Sequence, residues 1–115
     1  MVDAGANVNY FSTEFLSTPL LKAAHLGNLE MVKILLSKGA KASINEKGIN
    51  GRNALMLAIR GLGDGTDRDR MEIIELLISS GIDTSALDEK GKDAVFHAND
   101  KGNSYKRRIL KLLKA

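Results

Sequence analysis

Asp64, Asp67 and Asp69 fall with Gly65 in one short stretch, Gly61-Leu-Gly-Asp-Gly-Thr-Asp-Arg-Asp69. Carboxylates grouped so closely offer hard oxygens to Ca²⁺, but their spacing is not the D-x-D-x-D-G of a calcium-binding helical hand. The expectation is ordinary loop chemistry, with Asp67 or Asp69 capping a helix that begins near Arg70. The glycines of the same stretch resemble a phosphate-binding loop only superficially, because no Gly-Lys-Ser/Thr ending follows and no strand precedes. His25 and His97 are the two histidines and no cysteine accompanies them, so a metal site built on these two ligands is not expected, and both histidines are expected to be solvated or partner-facing. No local motif supports a Ser/His/Asp arrangement. Neither catalysis nor a metal or other cofactor is expected.

A second chemical feature is charge. The last fifteen residues hold six of the 17 Lys and Arg and none of the 14 Asp and Glu. They read as an amphipathic helix, with Ile109, Leu112 and Leu113 inward and Lys106, Arg107, Arg108, Lys111 and Lys114 outward. Such a face suits nucleic acid, acidic protein or anionic lipid. It equally suits a terminal helix whose outer face must be polar, and the scarcity of aromatic stacking residues favours that capping role over nucleic-acid binding. With 43% hydrophobic and 27% charged residues the composition is that of a soluble domain. No apolar run approaches the roughly 18 residues that cross a bilayer, and Met1-Val-Asp-Ala does not open a signal peptide. A soluble intracellular protein, most simply cytoplasmic, is expected.

The elements that must position these residues recur. Gly39-Ala-Lys-Ala-Ser43 and Gly81-Ile-Asp-Thr-Ser85 each end a run rich in Leu, Ile and Val, and Gly5-Ala-Asn-Val-Asn9 is a further copy of the same motif, which marks a repeat array. Within a unit the pattern predicts two short helices. Thr18 is a hydroxyl N-cap with Pro19 at the first helical position, and Gly27 permits the left-handed turn that ends the helix. Asn28 caps a second helix, whose Leu29, Val32, Leu35 and Leu36 share one face. Gly39 ends it in the same way. Asn53 and Ile74, Leu77 and Ile78 repeat the arrangement, and Asp93 with Ile109, Leu112 and Leu113 repeats it again. Polar stretches at 45–51 and 88–91 suit tight turns.

Thr18-Pro19-Leu20 with Ala23-Ala24, Gly27, Glu30, Val32, Leu35-Leu36 and Gly39-Ala40 resembles one ankyrin repeat nearly in full. The resemblance covers three repeats, at 11–43, 44–85 and 86–115, plus the tail of an earlier one at 1–10. It implies an all-α solenoid of stacked antiparallel helix pairs with projecting hairpin-like turns. There are departures from the family pattern. Leu21, Met56 and Phe96 replace the histidine that follows Thr-Pro-Leu, so polar bonds between turns should give way to apolar packing. Seven extra residues separate the two helices of the second repeat.

The resemblance implies a protein partner, with no enzymatic activity in this stretch, recognised by hairpin tips and by outward positions of the first helix of each pair. Carried over by position, those sites are Phe11 and Phe15, Lys22 and His25, Ile49 and Arg52, Leu57 and Arg60, Lys90 and Lys92, and His97. Phe11, Phe15 and Leu57 are the expected apolar anchors. The array is expected to be a monomer, or a weak homodimer through an uncovered N-terminal end, and a piece of a longer protein. Two alternatives stand beside this reading: binding of nucleic acid or an anionic surface through the basic C-terminal helix, and service as the targeting arm of an enzyme encoded elsewhere in a longer chain.

Overall fold

Each helix pair opens on a side chain that takes up an amide its own helix leaves unpaired. In the computed structural model, which describes residues 11–12, 17–63, 65, 67–101 and 105–114, Thr18 Oγ1 accepts from the Leu21 amide at 3.2 Å. Asn28 accepts from Met31 at 3.1 Å, Asn53 from Met56 at 3.0 Å and Asp93 from Phe96 at 2.9 Å. The resulting helices are α1 (Pro19–Leu26), α2 (Leu29–Ser37), α3 (Ala54–Arg60), α4 (Asp67–Ser79), α5 (Ala94–Lys101) and α6 (Lys106–Lys114), with short 3₁₀ turns at Ala40–Ser43 and Ile49–Gly51. Gly27 ends α1 at φ 71° and Gly39 follows α2 at φ 105°, the left-handed backbone that the sequence pattern requires of both.

The helices pair as α1 with α2, α3 with α4 and α5 with α6, and the pairs stack by packing α1 on α3 and α3 on α5. Small residues make that approach possible: Ala23, Ala24, Ala58, Ala94 and Ala98 are all buried. Behind them Val32, Leu35, Ile73, Ile74, Leu77 and Ile109 are fully enclosed. The fold is therefore the expected all-α stack, and among the described residues the β pairing amounts to one isolated bridge, Ser12 to Ser17. Residues 1–10, assigned from sequence to the tail of an earlier repeat, lie outside the described residues.

The three replacements of the expected histidine do not behave alike. Leu21 and Met56 are buried at 2% and 1% exposure, whereas Phe96 is 41% exposed, with the Lys92 Nζ 4.6 Å from its ring centre. No described element stacks beyond the α5–α6 pair, and Val95 beside it is exposed as well. Polar ties between neighbouring turns also persist, carried by other residues. The Glu89 amide donates to the Asn50 carbonyl at 3.1 Å. Lys47 Nζ donates to the Leu87 carbonyl at 2.7 Å, and the Asp83 amide to Asn45 Oδ1 at 2.7 Å.

The insertion in the second repeat divides between loop and helix. Alignment of Glu72 with Glu30 places Met71 opposite Leu29, the first residue of α2, so α4 starts one turn early, at Asp67. The cap expected near Arg70 is thereby corrected. Asp67 and Asp69 lie in the first turn of α4, where carboxylates complement the helix dipole. Asp67 Oδ1 reaches back to accept from the Gly63 amide at 2.6 Å, closing the loop.

Leu35 and Leu77 occupy equivalent places in the stack, each with no exposed surface. Replacing either by Ala should cost about 2–5 kcal/mol. Thermal melts should record a large drop for both variants, and unchanged melts would contradict the packing described.

Candidate functional site

The added turn of α4 carries the residue that sequence reasoning missed. Arg70 is 2% exposed, with Nη1 donating to the Ala24 carbonyl at 3.0 Å and Nη2 to the His25 carbonyl at 2.9 Å. Both acceptors belong to the last turn of α1, where carbonyls lack the next turn's amides and Ala24 otherwise takes only the Gly27 amide, at 3.2 Å. A guanidinium at that end also meets the negative pole of the α1 dipole. Gly61 makes room for it, since a Cβ there would fall within the volume of the Arg70 guanidinium. The insertion thus ties the second repeat to the first.

His97 is also placed otherwise than expected. It is 2% exposed, so the solvated or partner-facing role assigned from sequence is corrected to an internal one. Its Nδ1 lies 3.2 Å from Arg60 Nη1, which can only donate, and its Nε2 lies 3.0 Å from Asp88 Oδ2. The proton is therefore assigned to Nε2, donating to Asp88. The other oxygen of Asp88 accepts from the Lys90 and Lys92 amides, each at 2.9 Å. One buried line of bonds joins the third hairpin turn, α5 and α3. Burial pushes the His97 pKa down, Asp88 opposes that, and the charges of Arg60 and Arg52 add to the depression. Burial would raise the Asp88 carboxyl, but the amides of Lys92 and Lys90 and the His97 imidazole hold it below its usual range.

In front of these ties lies a two-lobed cleft. Its first lobe, about 530 Å³, lies between Ser12 and Ser17, the α1 residues Pro19, Leu21, Lys22 and His25, the turn residues Gly48 and Ile49, and Leu57 of α3. The second, about 700 Å³, is walled by Asn50, Arg52, Arg60, Gly61 and Arg70 and shares His25, Ile49 and Leu57 with the first. The structure thus brings together Lys22, His25, Ile49, Arg52, Leu57 and Arg60 from the sequence-derived set. Ile49 stands 56% exposed, while Leu57, at 7%, forms part of the floor and does not project as an anchor. Phe11 is half-buried and is not among the lining residues, and Phe15 lies outside the described residues. The Lys90 and Lys92 side chains are exposed at the third turn, away from the cleft lining.

The basic C-terminal helix is partly tied down. Arg108 Nη2 pairs with Glu75 Oε2 at 2.7 Å and Ile109 is fully buried, while Arg107 and Lys111 face solvent. Among the described residues no group of three or more His, Cys, Asp or Glu is arranged to hold a metal, and no helix is long and apolar enough to cross a membrane.

Two outcomes test the buried ties. Arg70→Leu removes the guanidinium from the His25 carbonyl and leaves the Ala24 carbonyl with the Gly27 amide alone, and chemical denaturation should show a loss of about 1–3 kcal/mol. The depressed His97 pKa means that the unfolded chain binds more protons below the ordinary value of 6.5. Stability is then full above that value and declines as pH falls toward the folded pKa. Asp88 acts with the same sign at lower pH, below 3.8. Melting temperature should fall as pH drops below 6.5, and less steeply in His97→Gln. Equal slopes for variant and parent would refute the assignment.

Residues 1–88 match the family model described as ankyrin repeats in three copies. The protein named "Ankyrin repeat, SAM and basic leucine zipper domain-containing protein 1" of Atelerix albiventris is 28% identical over 103 residues, covering 90% of this chain and 20% of the relative. The protein of the same name from Equus caballus is 27% identical over the same length and shares. The chain therefore spans about a fifth of the length of the curated relatives it matches. Among solved structures, the ankyrin repeat domain of Bcl-3, titled a unique member of the IkappaB protein family, superposes with a TM-score of 0.76 at 25% identity, covering 96% of this chain and 42% of that one. Ankyrin repeats are in general protein–protein interaction modules and typically have no enzymatic activity. Three stacked helix pairs, their capped turns and the match over residues 1–88 establish that this chain belongs to the ankyrin-repeat family.

Proposed function

We propose that this chain is a protein-recognition module that binds its partner in the cleft bounded by the hairpin turns, α1 and α3. One observation carries the reading: six residues chosen by position in the repeat line two adjoining concavities that share His25, Leu57 and the exposed Ile49. An exposed aliphatic side chain beside an enclosed apolar floor is the arrangement that anchors a partner, and cations at its margin set orientation and encounter rate. The module is read as non-catalytic. Both ring nitrogens of His97 are engaged, and the Asp88 carboxylate is occupied by two amides and that imidazole, so the one buried acid–histidine pair has no basic site to offer a substrate.

A second reading places binding on α6, favoured by the solvent-facing Arg107 and Lys111. The Arg108–Glu75 pair and the burial of Ile109 support the capping role instead.

Affinity capture separates the two. Ile49→Asp should lose the recovered proteins, while Arg107→Glu with Lys111→Glu should keep them, each variant first confirmed to melt like the parent. Capture through the cleft should also survive moderate salt, whereas binding to phosphates should fall steeply. The reverse pattern would move the site to α6.

A further inference from the structure

The charges around the cleft indicate what it takes, an inference that rests on the reading of the cleft as the recognition surface. Among the described residues no carboxylate lines either lobe, whereas Lys22, His25, Arg52 and Arg60 all do. Arg60 is held in position by its contact with His97 Nδ1. Its ionic partner Asp100, at 3.2 Å, has a side chain 50% exposed, so water screens that pair and a carboxylate arriving from outside displaces it at little cost. Arg52 has an enclosed Nε with no acceptor among the described residues, so no internal bond at that nitrogen competes for its charge. The depression of the His97 pKa by both Arg60 and Arg52 reports the same local positive potential from within the protein. The first lobe differs in chemistry: Pro19, Leu21, Ile49 and Leu57 make its walls apolar. A concavity of that size and lining accepts an aliphatic or aromatic side chain and excludes water from it.

We propose that the cleft binds an acidic segment of a partner protein, seating one aliphatic or aromatic side chain against Leu21, Ile49 and Leu57 and placing a neighbouring carboxylate between Arg52 and Arg60. The apolar contact supplies residence and the carboxylate supplies register. A basic or neutral segment would leave Arg60 with only the solvent-screened Asp100 and would bring no opposite charge to Arg52.

The test is fluorescence anisotropy of the full chain with labelled synthetic peptides. Each carries one leucine and two adjacent glutamates, separated by roughly two to five residues, the reach of an extended chain between neighbouring lobes. Counterparts carry glutamine for glutamate or serine for leucine. The best glutamate peptide should bind about tenfold more tightly than its glutamine counterpart. Arg52→Gln should close that gap, Ile49→Asp should weaken both, and added salt should weaken the glutamate peptide more. Equal binding of glutamate and glutamine peptides, still lost in Ile49→Asp, would overturn the acidic preference while leaving the cleft as the recognition site. Glutamate-dependent binding indifferent to Ile49→Asp and Arg52→Gln would overturn both and direct attention to Arg107 and Lys111. Failure of every peptide, with protein capture still sensitive to Ile49→Asp, would overturn the inference alone.

Discussion

Helix pairs in this chain cannot bury their apolar faces by themselves, so the stacking of α1 on α3 and α3 on α5 is the contact on which everything else depends. Alanines at 23, 24, 58, 94 and 98 let the helices approach, and Leu35 and Leu77 fill the space behind them. The same stacking sets the hairpin turns side by side. A surface that runs from Ser12 to Arg60 exists only because α1 and α3 are held in register, since neither helix carries enough of the lining to make a cleft alone.

Polar groups then fix what apolar packing leaves free. Hydrophobic contact is non-directional, whereas a hydrogen bond fixes the relative position of the groups it joins. Arg70 bonding two carbonyls of α1, and His97 linking Asp88 to Arg60, each demand one geometry. Buried groups of this kind are costly when unpaired, so every misregistered arrangement is penalised by the same bonds that support the native one. They also place Arg60 and close the back of the cleft, so residues that stabilise the stack also shape that concavity.

The seven-residue insertion shows how a repeat can depart from its pattern without losing the stack. Part of it lengthens α4 by a turn and part forms the loop closed by Asp67 on the Gly63 amide. Because the added turn delivers Arg70 to the preceding repeat, the insertion strengthens the neighbour contact it interrupts in sequence. Gly61, with no side chain, is what allows the guanidinium to lie there.

Sequence alone determined the local features: the caps at Thr18, Asn28, Asn53 and Asp93, the left-handed glycines and the apolar faces of α2, α4 and α6. Each depends on residues within a few positions of one another, so spacing and residue type suffice. It also located the strip containing Lys22, His25, Ile49, Arg52, Leu57 and Arg60, because a repeat carries its geometry from one copy to the next. Tertiary structure alone decided that Arg70 and His97 are buried and what they bond, and that Leu57 is floor where Ile49 is surface. A polar side chain reads as exposed until an acceptor is found for it, and those acceptors, Ala24, His25 and Asp88, come from other elements of the stack. Burial of a charge depends on partners distant along the chain, and only the packed molecule brings them within reach.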